Sequence, residues 1–160
     1  MTKKVAISYP NIFDSIKKYF SGRDVEIILT DKNQPNSDYD LVVVYDDYEF
    51  AKTNNKVINI HPSLLPAYKE KDAILKAFND GVKVSGITIH SKDKIIAQYP
   101  VLIGIETHID EFMAEMLAVE KKLVPAVIDA ILNDRVFDFA DLFSSKCHKT
   151  GGCSGCSGCH

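Results

Sequence analysis

The stretch Tyr39–Tyr68 reads YDLVVVYDDYEFAKTNNKVINIHPSLLPAY. Its first run, YDLVVVY (Tyr39–Tyr45), is apolar without alternation, the pattern of a strand covered on both faces. A second run, KVINI (Lys56–Ile60), follows DDYEFAKTNN, which has the length of a short helix. Strand, helix and strand in so few residues predict a parallel pair joined by a crossover. The second strand runs directly into a loop pinned by Pro62 and Pro66.

The same alternation continues in both directions. KVAIS (Lys4–Ser8) reads as a first strand. Asn11 precedes Ile12, Phe13, Ile16 and Phe20, which share one helix face, and Gly22 follows as a stop. VEIIL (Val25–Leu29) is a second strand. Beyond the opening stretch, a helix is expected over Lys71–Asp80, ending at Gly81. VKVSGITIH (Val82–His90) and IIAQYPVLI (Ile95–Ile103) flank the polar turn Ser91–Lys94 and predict an antiparallel hairpin. Thr107, with Asp110 three residues on, is placed to cap a long helix from about His108 to Asn133, which Pro125 would kink or divide. The expected fold is α/β and Rossmann-like: a mostly parallel sheet, helices on both faces and an antiparallel hairpin.

Composition bounds the function. The chain has 160 residues, a formal charge of −3, 46% hydrophobic and 26% charged residues, ordinary globular values for about one domain. That charge leaves no electrostatic footprint for nucleic acid or an anionic membrane. No apolar run approaches the roughly 20 residues of a membrane helix, and the start, MTKKVAISYP, has too short an apolar run for a signal peptide. A cytoplasmic location and a small-molecule partner are expected, with the oligomeric state left open.

Ligands of open α/β sheets bind beyond the carboxyl ends of the strands, where Asn59 and His61 fall. Residues two apart on a strand share a face. An Asn amide donates without changing charge, and a His donates, accepts or carries a proton near neutral pH. The pair suits an oxyanion formed when a nucleophile attacks a carbonyl. An Asn bonded to a turn backbone and a His closing a strand account for the same residues without catalysis.

VINIHPSLLPAY (Val57–Tyr68) resembles the signature of the folate-dependent formyltransferases. The agreement continues in order through GITIH (Gly86–His90), IIAQYPV (Ile95–Val101) and VEKKLVPAVIDAI (Val119–Ile131). It is strongest with the purine-synthesis branch that formylates glycinamide ribonucleotide. The resemblance implies transfer of a formyl group from 10-formyltetrahydrofolate to an amine. It implies that Asn59 holds the formyl oxygen as charge develops, that His61 assists as a cation or hydrogen-bond partner, and that Ser63, Leu64, Leu65 and Pro66 shape the cleft. His90 matches a family His near the site.

Three segments depart from the family pattern. The family's catalytic Asp lies in a loop between the equivalents of His90 and Gln98, but here only SKDKIIA intervenes. Asp93 is the one carboxylate left there and the catalytic candidate to replace that acid, although a turn Asp usually bonds its own backbone. SYPNIFDSI replaces the family's Gly- and Ser-rich phosphate turn, so glycinamide ribonucleotide is expected to be a poor acceptor. Asp46, Asp47 and Glu49 stand where the family has a mainly apolar pterin segment, and they are expected to form a solvated face.

All four cysteines lie near the end, in SSKCHKTGGCSGCSGCH. Residues 1–143 are read as the domain and 144–160 as a flexible tail, since apart from Cys the tail carries almost nothing that could offset its ordering entropy. Cys147, Cys153, Cys156 and Cys159 could hold Zn²⁺ or an iron–sulfur cluster, with His148 or His160 as substitutes. CSGCH also matches the covalent haem pattern, which the missing export signal argues against. Removing residues 144–160 is therefore expected to leave the domain folded and to abolish most Zn²⁺ or Co²⁺ binding. Titration and metal-free melting of both forms check this; equal metal stoichiometry would refute it.

Overall fold

Short β-branched and aliphatic runs form the centre of a six-stranded sheet in the computed structural model, which describes residues 1–31, 38–52, 54 and 56–143. The strands are β1 (Lys3–Ile7), β2 (Val25–Leu29), β3 (Leu41–Tyr45), β4 (Val57–His61), β5 (Val84–Ser91) and β6 (Lys94–Leu102). They lie in the order β2-β1-β3-β4-β5-β6. The first four are parallel, and β5 and β6 join antiparallel. The tail, with the four cysteines proposed as ligands, falls outside the described residues.

The larger core lies on one face. Val5, Ile7, Ile58, Ile60, Ile87 and Ile89 meet Ile12 and Ile16 of α1 (Pro10–Tyr19) and Phe112, Met116 and Leu123 of α4 (Ile109–Leu132). The opposite face carries a small cluster, Ala6, Val42, Val44 and Val57 with Ala51 of α2 (Tyr48–Ala51). This second layer is thin because β4 and β5 present polar side chains there, under the loop that follows β4.

Several boundaries differ from the sequence reading. α1 begins at Pro10, so Asn11 sits in its first turn rather than capping it; proline's fixed φ and missing N–H suit the first helical position. α4 is capped by His108, whose N–H donates to Glu111 Oε2 at 3.1 Å, while Thr107 Oγ1 accepts from Gly104 N at 3.0 Å. Pro125 lies inside one continuous helix. α3 spans Ala73–Asn79, and α5 (Ala140–Phe143) is the last element among the described residues.

The β5–β6 hairpin turns on Lys92 and Asp93, with Ser91 opposite Lys94 and an irregularity at Ile89/His90. Gly86 is required in β5: a Cβ there would lie 2.1 Å from Tyr99 O and 2.8 Å from Leu64 Cδ2. Its bare backbone lets the 62–68 loop pack down on the hairpin.

Candidate functional site

The polar face of the sheet follows from register. β4 pairs with β5 so that Asn59 stands opposite His90 and His61 opposite Thr88. All four side chains are buried, as is Ser63. Thr88 Oγ1 donates to Ser63 O at 2.6 Å and accepts from Leu65 N at 3.0 Å and from Gln98 Nε2 at 3.1 Å. Gln98 Nε2 also donates to Leu65 O at 3.0 Å. Ser63 Oγ donates to Ala67 O at 2.6 Å, and the Leu65–Pro66 peptide is cis. Much of the motif's polarity thus ties the loop to the sheet. Thr88 and Gln98 were not singled out from the sequence, although Thr88's place two residues from His90 was readable there; the irregularity at Ile89/His90 is what sets Gln98 opposite Thr88.

Asn59 is held on both sides. Its Oδ1 accepts from Asp47 N at 3.0 Å, and Nδ2 donates to His90 Nε2 at 3.0 Å. His90 donates from Nδ1 to Lys92 O at 2.9 Å, so it is the neutral Nδ1–H tautomer. Burial, above all, holds its pKa below the ordinary histidine value. The stability this lends is present above the unfolded value of about 6.5 and is lost as pH falls below it. His90 therefore orients the Asn59 amide and carries no mobile proton.

His61 lies at the carboxyl end of β4. Its Nε2 donates to Tyr68 O at 2.8 Å. Its Nδ1 stands 3.2 Å from Asp46 Oδ1 but is not aligned for a hydrogen bond among the described residues. Asp46 follows β3 with a left-handed φ of 49°, and its N–H donates to Ile60 O at 2.8 Å. The carboxylate beside His61 is thus Asp46. Asp93 instead accepts from Tyr48 Oη at 3.3 Å rather than from its own turn. The acidic stretch is no uniform solvated face either: Asp47 Oδ1 accepts from Phe50 N at 3.1 Å to cap α2, and only Glu49 is exposed, pairing with Lys52 at 3.2 Å.

Beside these residues is a cavity of about 170 Å³, walled by Tyr48, Leu65, Pro66, Lys69, His90 and Asp93. Lys69 Nζ lies 4.2 Å from the Tyr48 ring centroid. A wider hollow of about 490 Å³ between β6 and residues 136–139 has only Asp138 as a titratable group. No group of three His, Cys, Asp or Glu side chains suited to a metal occurs among the described residues.

A family profile for formyl transferase matches residues 49–128. The chain belongs to the formyl transferase family. A phosphoribosylglycinamide formyltransferase of Bacillus subtilis (strain 168) is 42% identical over 83 residues, 48% of this chain and 43% of that protein. A formyltetrahydrofolate deformylase of Haemophilus influenzae is 33% identical over 93 residues, 54% of this chain and 34% of that protein. The matched region is under half the length of these curated relatives. The fold matches a phosphoribosylglycinamide formyltransferase structure from Anaplasma phagocytophilum with a TM-score of 0.68 at 22% identity, covering 84% of this chain and 88% of that one. A phosphoribosylglycinamide formyltransferase structure from Bacillus halodurans is 28% identical with a TM-score of 0.59, covering 81% of this chain and 95% of that one. Asp46 lies outside the matched family segment.

A second buried group lies where β1 and β3 end. The rings of Tyr9 and Tyr45 stack with centroids 4.1 Å apart. Glu120, on α4's apolar stripe, is buried, and its Oε2 makes no hydrogen bond among the described residues. The signal was in the sequence: Glu120 continues the four-residue spacing of Phe112 and Met116. Burial, and next the Glu120 charge, push the Tyr9 hydroxyl up to about 12; the same causes raise Tyr45 further. Burial pushes the Glu120 carboxyl from 4.5 to about 7, against the smaller influence of a hydrogen bond from Tyr9.

A carboxyl raised on folding stabilises below its unfolded value, and that contribution is lost as pH rises through about 7. At about 1.4 kcal/mol per unit the loss is ~3 kcal/mol. Glu120→Gln should therefore melt above the wild type at pH 8, with the gap closing toward pH 5. A gap independent of pH would contradict the burial argument.

Proposed function

We propose that the chain binds a 10-formyltetrahydrofolate and transfers its formyl group to an amine other than glycinamide ribonucleotide. The observation that carries this is the Asn59–His61 pair at the end of β4, inside the family segment. The cavity fits the ring end of such a donor: Tyr48, Leu65 and Pro66 supply apolar walls, and Lys69 and Lys92 supply cations for the carboxylates of a glutamate tail. Its about 170 Å³ takes a ring and leaves the tail outside.

The donor supplies an electrophilic formyl carbon. Its bond to the folate nitrogen is exchanged for one to the amine, and an amine proton ends on that folate nitrogen. Asn59 donates from Nδ2 to the formyl oxygen as negative charge grows there, with its amide plane fixed by Asp47 and His90. His61, with Nε2 committed to Tyr68 O, assists as a cation or hydrogen-bond partner of that oxygen. The 62–68 loop keeps water from this face. Tyr9 and Tyr45 stack where the family's phosphate turn would begin, which supports a different acceptor.

One observation favours a second reading, a catalytically inactive relative that binds a small molecule or partner and uses its cysteine tail for Zn²⁺ or an iron–sulfur cluster. Asn59 and His61 are fully buried, and His90 lines the cavity with Asn59 bonded behind it. The cysteine tail would then be the working end. Calorimetric titration with a stable 10-formyltetrahydrofolate analogue, paired with a formyl-transfer assay, separates the two. Saturable binding and turnover are expected, with Asn59→Ala lowering turnover about 10²–10³-fold while binding changes little. Binding without turnover would support the second reading, and no binding would defeat the formyl-transfer reading. Glycinamide ribonucleotide should be a poor acceptor; turnover with it equal to ordinary family members would refute that point.

A further inference from the structure

We infer that Asp46 is the positioning carboxylate of His61, supplied from the end of β3 in place of the acid that the shortened β5–β6 turn no longer carries. The inference rests on the proposed formyl-transfer reading for its catalytic meaning, though not for its geometry. Nε2 of His61 faces a carbonyl, Tyr68 O, at 2.8 Å, so it must carry a proton. Nδ1 is buried and faces Asp46 Oδ1 at 3.2 Å. A bare Nδ1 lone pair opposed to a carboxylate is repulsive, whereas an N–H there is attractive. A ring protonated on both nitrogens meets the carbonyl with a hydrogen bond and the carboxylate with an attractive charge contact at 3.2 Å.

The groups around the ring agree with this assignment. Asp46 comes from β3, the Tyr68 carbonyl from the loop, and neutral Thr88 from β5. His90, next along β5, is neutral and bonded to Asn59 and Lys92 O. Asp93 is exposed at the hairpin turn and bonded to Tyr48. Asp46 is itself fixed: its left-handed backbone is one that Asp and Asn tolerate, and its N–H is bonded to Ile60 O. The result is a buried cation held beside the Asn59 donor, a fixed positive charge for an oxygen that becomes negative.

The test is ¹⁵N NMR of the His61 ring at pH 7 in the ligand-free protein. In the wild type both ring nitrogens should appear as N–H. In Asp46→Asn, which suits the same backbone, Nδ1 should appear unprotonated, while Asp93→Asn should leave the spectrum of His61 unchanged. Formyl transfer should fall at least tenfold in Asp46→Asn with folate-analogue affinity unchanged, and Asp46→Glu should restore part of it. A bare Nδ1 in the wild type would overturn the pairing, and this outcome needs no variant to fold. A His61 spectrum that responds to Asp93→Asn and not to Asp46→Asn would also overturn it, in favour of the turn acid. If the ring responds to Asp46 but no folate analogue binds, the pairing stands and the formyl-transfer reading falls.

Discussion

The antiparallel register of β4 on β5 is the constraint on which the site depends. It sets Asn59 against His90 and His61 against Thr88 on the face away from the large core. A slip of one residue would exchange the two faces, burying these polar groups among Ile12, Phe112 and Leu123 and lifting Ile58, Ile60 and Ile89 under the loop. That core therefore enforces the placement of the polar side chains. With the register set, Thr88 and Gln98 hold the Leu65 backbone, and Gly86 lets Leu64 approach. The Pro-pinned loop is a lid built by the sheet beneath it.

Burial then decides the electrostatics. His90, within hydrogen-bond reach of Asn59 and cut off from water, stays neutral and serves as a fixed acceptor. Glu120, with no cation paired to it among the described residues, holds its proton to unusually high pH. An unpaired charge in an apolar stripe is expensive, so the buried carboxyl between α4 and the Tyr9–Tyr45 stack marks a place where stability is given up. His61 and Asp46 solve the same problem differently, by facing each other.

The strands were legible because their apolar runs outlast any local ambiguity. LVVVY and VINIH are buried along almost their whole length, as runs without alternation predict. Helix starts were less legible, since they depend on which of several adjacent capping residues wins: Pro10 displaced Asn11, and His108 displaced Thr107. Within the site, the spacing of Asn59 and His61 exposed their shared face. Asp46 was hidden in DDYEF, because three acidic residues in five read as a surface. Only the turn after β3 shows that one of them points at His61. Glu120 and Thr88 were readable in principle, as a charge on an apolar helix stripe and a hydroxyl two residues from His90.

A crystal structure of the protein with a stable 10-formyltetrahydrofolate analogue tests the central claim most directly. The account predicts the ring system between Tyr48, Leu65 and Pro66, with the analogue's carbonyl oxygen about 2.7–3.2 Å from Asn59 Nδ2 and the His61–Asp46 contact retained. An analogue seated in the hollow beside β6, or in the cavity with its carbonyl turned away from both Asn59 and His61, would contradict it.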